Sequence, residues 1–204
     1  MSLHSIDFYY DFGSPNAYLA WKAIQGTISR TSIVVNMKPV LIGGIFKITG
    51  NSPPWQLAAN IKPKLSYMEI EIKRFIAEHH LTKFKFHKIF PMITLLAMRG
   101  AIVSQELGIH NDYISSMFKS IWENNEDISK PENFIKLLNN DGIDGYKILK
   151  AANTKEIKEK LKELTGKSIK RGVFGLPTFF WKDEIYFGKE CISQIEISIT
   201  SDNK

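Results

Sequence analysis

The sequence predicts an α/β protein, and three observations carry that reading. Runs rich in aromatic and β-branched residues stand at both ends, "SIDFYYDF" near the start and "PTFFW" with "EIYF" near the finish. Between them, apolar residues recur at helical spacing. At the start, a strand run passes through a helical run into a second strand run, the order of a parallel β-α-β unit with a right-handed crossover.

Each element has its own signal. After the first strand, Ser14 takes the N-cap position and Pro15 the first helical position, followed by Ala17, Tyr18, Ala20, Trp21 and Ile24. Gly26 reads as the stop, and "TSIVVNMKPVLI" as the second strand. "GGIFKITGNSPPWQ" reads as loop. From about residue 65 helices take over. Leu65, Met68, Ile72, Phe75 and Ile76 form one face, and Ile114, Met117, Phe118, Ile121 and Trp122 another. Pro131 opens and Gly142 closes a helix around Phe134, Leu137 and Leu138. Thr154 caps the next, which is expected to end at Gly166. "PTFFW" and "EIYF" flank Lys182-Asp183 as a hairpin, and "ECISQIEISI" reads as a short closing helix.

The order β-α-β, helices, β-β-α is a thioredoxin-like frame interrupted by an all-helical insertion. Residues 1–42 and 171–204 would form the discontinuous thioredoxin-like domain and 43–170 the insertion. At 204 residues, with 44% hydrophobic and 24% charged, the chain has enough material for a substantial core. No apolar run approaches a membrane span. "MSLHSIDF" has neither a basic nor an apolar leader region and "SDNK" matches no common C-terminal address, so a cytoplasmic protein is expected.

The formal charge of +6 is dispersed. Its densest run, "KEIKEKLKELTGKSIKR", alternates Lys with Glu around Ile157, Leu161 and Leu164, the pattern of a solvated amphipathic helix. "KFKFHK" interleaves basic and aromatic residues but is short and runs into Phe90-Pro91. Neither a nucleic acid nor a membrane is expected as partner. One cysteine, Cys191, allows no internal disulfide and no CxxC pair, and the five histidines show no metal-binding spacing, so no metal is expected.

In thioredoxin-like proteins the first helix starts at the redox motif, where unpaired N–H groups and the helix dipole stabilise a thiolate. Here that place holds Ser14-Pro15-Asn16-Ala17. Dithiol exchange needs an attacking and a resolving thiol, and the chain supplies neither. Ser14 is either a plain N-cap or a neutral donor to a thiolate brought from outside. A hydrolase-type serine is disfavoured, because no GxSxG elbow is present. Thioredoxin-like folds also set a cis-proline against this helix start, and Leu176-Pro177 in "GVFGLPTFF" stands where that role needs it.

"DFYYDFGSPNAYLA", "GIFKITGNSPP", "KLSYM", "IWENNEDISKPE" and "GVFGLPTFFWKDEIYFGKE" together resemble the kappa-class glutathione transferases and 2-hydroxychromene-2-carboxylate isomerases, a DsbA-related thioredoxin-like branch. The resemblance covers nearly the whole chain. It implies a glutathione-dependent homodimeric enzyme acting on a small electrophile, which an aromatic carboxylate would exemplify. Ser14 is then the catalytic candidate, stabilising the glutathione thiolate for isomerisation or conjugation. It implies glutathione contacts from Ser14, Pro15, Asn16, Asn51, Leu176 and Pro177, with Leu176 pairing through its backbone. It also implies that Glu190 meets the α-ammonium of the γ-glutamyl end and Lys189 its α-carboxylate, although "GKEC" departs from the usual Asp and Arg. Lys47 and Lys64 fall in segments that flank the substrate side. Two alternatives stay open: a DsbA-like thiol–disulfide oxidoreductase, and a non-catalytic module that binds glutathione or a peptide.

Overall fold

The computed structural model describes residues 5–202; the two ends read above for targeting signals, with His4, fall wholly or partly outside them. Four strands form one mixed sheet: β1 (Ser5–Tyr10), β2 (Val34–Pro39), β3 (Thr178–Trp181) and β4 (Glu184–Phe187), in the order β2-β1-β3-β4. β1 runs parallel to β2 and antiparallel to β3, and β3 pairs antiparallel with β4. The sheet thus joins the two ends of the sequence, with the helices between them in chain order: α2 (Ile42–Thr49), α3 (Pro54–Leu57), α4 (Lys62–Glu78), α5 (Leu95–Glu106), α6 (His110–Trp122), α7 (Pro131–Asn140), α8 (Gly145–Ala152) and α9 (Lys155–Lys170). α1 (Pro15–Thr31) and α10 (Ile192–Asp202) pack side by side.

The period of two in β1 sends Ile6, Phe8 and Tyr10 into the main core, where Phe8 lies against Phe179 of β3. Tyr9 points the other way, into a smaller cluster with Val40, Ile45, Leu176 and Phe180. The aromatics of "KFKFHK" are spent on packing: Phe84 stacks on Tyr18 and on Trp122, and Phe86 meets Phe90 edge-on.

Three sequence expectations are corrected by tertiary contacts. α1 passes through Gly26 and ends at Thr31, because Thr27 and Arg30 both bond Glu196 of α10 and Ser32 closes the helix in a left-handed turn. A mid-helix glycine costs only about 1 kcal/mol, which such contacts offset. The "loop" at 43–56 is largely taken up by α2 and α3. Gly44 leaves room for Thr165 of α9, whose Cγ2 lies 3.2 Å from where a Cβ would sit, and Ile45 is fully buried. α9 likewise runs past Gly166 to Lys170, with Thr165 and Ser168 buried.

The turn between β1 and α1 is held from every side. The buried Asp11 carboxylate accepts from the Gly13 N–H at 2.9 Å, the Thr94 hydroxyl at 2.6 Å and the Ile42 N–H at 2.9 Å. The Phe12 carbonyl accepts the Trp122 indole N–H at 2.9 Å. Burial pushes the Asp11 carboxyl up, and its three hydrogen bonds pull it partly back.

Two stability predictions follow from these contacts. Asp11→Ala leaves two backbone donors and a hydroxyl without a partner, and is expected to cost about 3 kcal/mol or more, read from denaturant midpoints. Asp11→Asn keeps an accepting oxygen and should cost roughly half as much. The second concerns His110, whose ring meets Ser104 Oγ at 2.8 Å and whose burial lowers its pKa to about 4. The fold holds the neutral ring, so this contribution is complete above the unfolded pKa of about 6.5 and is lost as pH falls from there through the folded value. Between those limits the wild type should lose about 2–3 kcal/mol more than His110→Gln, measured as unfolding free energy against pH.

Candidate functional site

Ser14 sits where the β1–α1 turn meets the loop before β3. Its Oγ accepts the Ala17 N–H at 3.1 Å, an N-cap, and donates to the Leu176 carbonyl at 3.2 Å. One hydroxyl therefore ties the helix start to the Leu176-Pro177 bond, which is cis. Ser14 and Leu176 are only 5% and 6% exposed, so a group reaching this hydroxyl leaves most of its water behind.

Unused donors lie beside it. Pro15 at the first helical position has no N–H to place. Among the described residues, neither the Asn16 N–H nor the Leu176 N–H has a protein acceptor. The Asn16 side-chain Oδ1 is buried without a partner. A helix start carries partial positive charge, so the N–H of Asn16 and the rotatable Ser14 hydroxyl favour an anion at this point.

Asn51 reaches the site through the chain before the cis bond: its Nδ2 donates to the Phe174 carbonyl at 2.8 Å, while its Oδ1 accepts the Ser52 N–H. Ser14, Pro15, Asn16, Asn51, Leu176 and Pro177 thus converge on one place. Lys47 on α2 and Lys64 on α4 are exposed, and no contact links either of them to Ser14 among the described residues.

The "GKEC" segment differs from its sequence reading. The Gly188 N–H bonds the Pro177 carbonyl at 3.0 Å, which places the segment at the rim of the site. Lys189 does not face outward. It is 1% exposed, with Nζ 2.5 Å from Glu71 of α4, in contact with Glu190, and 5.1 Å from the Phe75 ring centroid. An ammonium so enclosed has no free donor face for a ligand carboxylate. Cys191 is buried, donates its thiol to the Gly188 carbonyl at 2.9 Å, and is pushed up to about 12 by burial and by Glu190. It is a packing residue rather than a nucleophile.

The sequence reading missed Asp11, Thr94 and Glu71. Asp11 two places before Gly13 is the one local signal, since a short acid there can accept the glycine N–H. Thr94 and Glu71 reach the site only through the fold.

Relatives share this arrangement of chain. Glutathione S-transferase kappa 1 of Rattus norvegicus is 28% identical over 182 residues, covering 85% of this chain and 79% of its own. The 2-hydroxychromene-2-carboxylate isomerase of Sphingobium xenophagum is 23% identical over 194 residues, covering 94% of this chain and 96% of its own. Both relatives are enzymes. A solved 2-hydroxychromene-2-carboxylate isomerase superimposes with a TM-score of 0.83 at 20% identity, over 96% of this chain and 94% of that one. The DsbA-like thioredoxin domain model matches residues 5–199, from β1 through the helices and the cis-proline loop into α10, and the chain belongs to that family.

Proposed function

We propose that the protein is a glutathione-dependent isomerase or transferase in which Ser14 stabilises the thiolate. The observation that carries this reading is the Ser14 hydroxyl, held between the start of α1 and the cis Leu176-Pro177 bond, with unpaired N–H groups on either side. The enzyme relatives support the same class.

Glutathione would supply a sulfur nucleophile that adds to a conjugated carbon and is either expelled unchanged or retained as a thioether. The chain's part is to hold charge and geometry. Ser14 turns its proton from the Leu176 carbonyl to the sulfur while its lone pair keeps the Ala17 N–H. The Asn16 N–H and the positive helix end add to the same anion. The Leu176 N–H and the carbonyl freed by Ser14 offer the pairing edge that an extended peptide takes up. Asn51 fixes the Phe174 carbonyl and so the height of that edge.

The electrophile would approach on the side of Ile93. Ile93 is 74% exposed next to Thr94, which bonds Asp11 beneath the Ser14 turn. A planar conjugated substrate would be taken on that side, and Lys47 and Lys64 would guide one that carries a carboxylate. A disulfide oxidoreductase is disfavoured by a specific observation: the chain's single thiol is buried and held protonated.

The test is a pH titration of thiolate absorbance in the glutathione complex. A bound thiol is expected about two pH units below the free value, and Ser14→Ala should return about one unit or more of that shift, with a parallel loss of turnover. Losing the cap should cost only about 1 kcal/mol of stability, so the variant remains measurable. A thiol pKa that is the same in Ser14→Ala and wild type would return Ser14 to the role of helix cap.

A further inference from the structure

The backbone edge that Leu176 offers beside Ser14 is one residue long. The Leu176 carbonyl accepts the Ser14 hydroxyl, and among the described residues its N–H has no protein acceptor. One place back, the Gly175 carbonyl turns inward to the buried Thr178 hydroxyl at 2.7 Å. Two places back, the Phe174 carbonyl lies at the surface and accepts from the Asn51 Nδ2 at 2.8 Å. This alternation is that of an extended run, in which a pairing strand would use Leu176 and then Phe174. On the other flank Pro177 has no N–H, and its carbonyl is taken by the Gly188 N–H at 3.0 Å.

A ligand residue that exchanges both N–H···O bonds with a single partner residue runs antiparallel to it. A cysteinyl residue paired with Leu176 therefore sends the chain that follows it past Gly175 toward Phe174. The second residue after the cysteine would be the next to pair. Its N–H would arrive at the Phe174 carbonyl, where the Asn51 side chain already stands. Asn51 is held in that place from its own segment. Its Oδ1 accepts the Ser52 N–H at 2.8 Å, Gly50 before it closes α2 at φ +71°, and Pro53 and Pro54 after it lead into α3.

Resting on the reading of Ser14 as a thiolate site, we propose that Asn51 is a length stop for the thiol substrate. By covering the Phe174 carbonyl it ends the pairing edge one residue beyond the cysteine. The site then takes short cysteinyl thiols and refuses a polypeptide strand that continues past that point. Asn51 acts here as a specificity residue, set against the chain that follows the cysteine and not against the reacting atoms.

The experiment is calorimetric titration of the full chain with two probes: glutathione, which ends one residue after its cysteine, and the same tripeptide extended at its C-terminus by two alanines. Wild type is expected to prefer glutathione by about tenfold or more. Asn51→Ala removes the stop and frees the Phe174 carbonyl, and should bring the two probes within about threefold of each other. Far-UV dichroism checks that the variant folds; should it not fold or not bind, the wild-type comparison decides alone. A wild-type preference below about tenfold, or a preference that Asn51→Ala leaves in place, would overturn the proposal while leaving the thiol site intact. Binding of neither probe to wild type would overturn the thiol site itself, and the length stop with it.

Discussion

Asp11 carries its carboxylate into the molecule with no exposure, and three helix starts close around it. Gly13 lies just before α1, Ile42 is the first residue of α2, and Thr94 directly precedes α5; each gives the carboxylate one hydrogen bond. Helix starts are where unpaired N–H groups and partial positive charge collect, so a buried acid is held most cheaply there. The reverse also holds. Without the acid, three positive ends would face one another across a dry interior, and nothing would fix the distances between them. The Ser14 N–H bonds the Asp11 carbonyl at 3.0 Å, so the Ser14 hydroxyl is tied directly to this junction. The rim formed by Ile93 is tied to the same point through Thr94.

That constraint explains why the site is preorganised around a single hydroxyl. Phe12 is held by the Trp122 indole at its carbonyl and by the Met98 sulfur at its N–H, 3.4 Å away, so the turn between Asp11 and Ser14 has little freedom left. Electrostatic stabilisation of an anion is strongest where donors need not reorganise. In the proposed reaction only the Ser14 proton has to move, exchanging the Leu176 carbonyl for a sulfur.

The sequence was most informative where a local rule and the tertiary structure agree. Ser14-Pro15 reads as a helix start from residue chemistry alone, and Leu176-Pro177 was legible from its place before the hairpin. The strands at both ends were legible because aromatic and β-branched residues concentrate there. Local rules failed where a distant partner decides. Gly26 and Gly166 are stop signals by propensity, but contacts to α10 and α9's own buried Thr165 and Ser168 carry the helices past them. The glycines at 43–44 read as loop because their use, letting Thr165 approach α2, depends on a residue far along the chain. Lys189 was read as a ligand contact because the family resemblance sets it where a cation could reach the α-carboxylate of the γ-glutamyl end. Its burial follows from Glu71, which lies on a helix whose polar residues give no sign of the pairing.

Replacing both thiols of the helix-start motif changes the chemistry available without changing the physics that serves it. An attacking cysteine uses the helix end to become a thiolate and form a mixed disulfide, and a resolving cysteine then attacks that bond, closing an internal disulfide as the substrate sulfur leaves as a thiol. Ser14 can do neither, because its oxygen stays protonated near neutral pH and forms no bond to sulfur. Cys191 cannot substitute, since its proton is held by burial and its sulfur is turned to the Gly188 carbonyl. On the proposed reading, what remains is an anion site whose sulfur must arrive with the substrate and can leave with it. A site of that kind runs reactions in which the thiol is lent and returned, or given away whole, with no net oxidation. Which of the two occurs depends on whether the adduct finds its way out before the carbon–sulfur bond breaks again. On the proposed reading, that competition falls to the residues around the hydroxyl rather than to the hydroxyl itself.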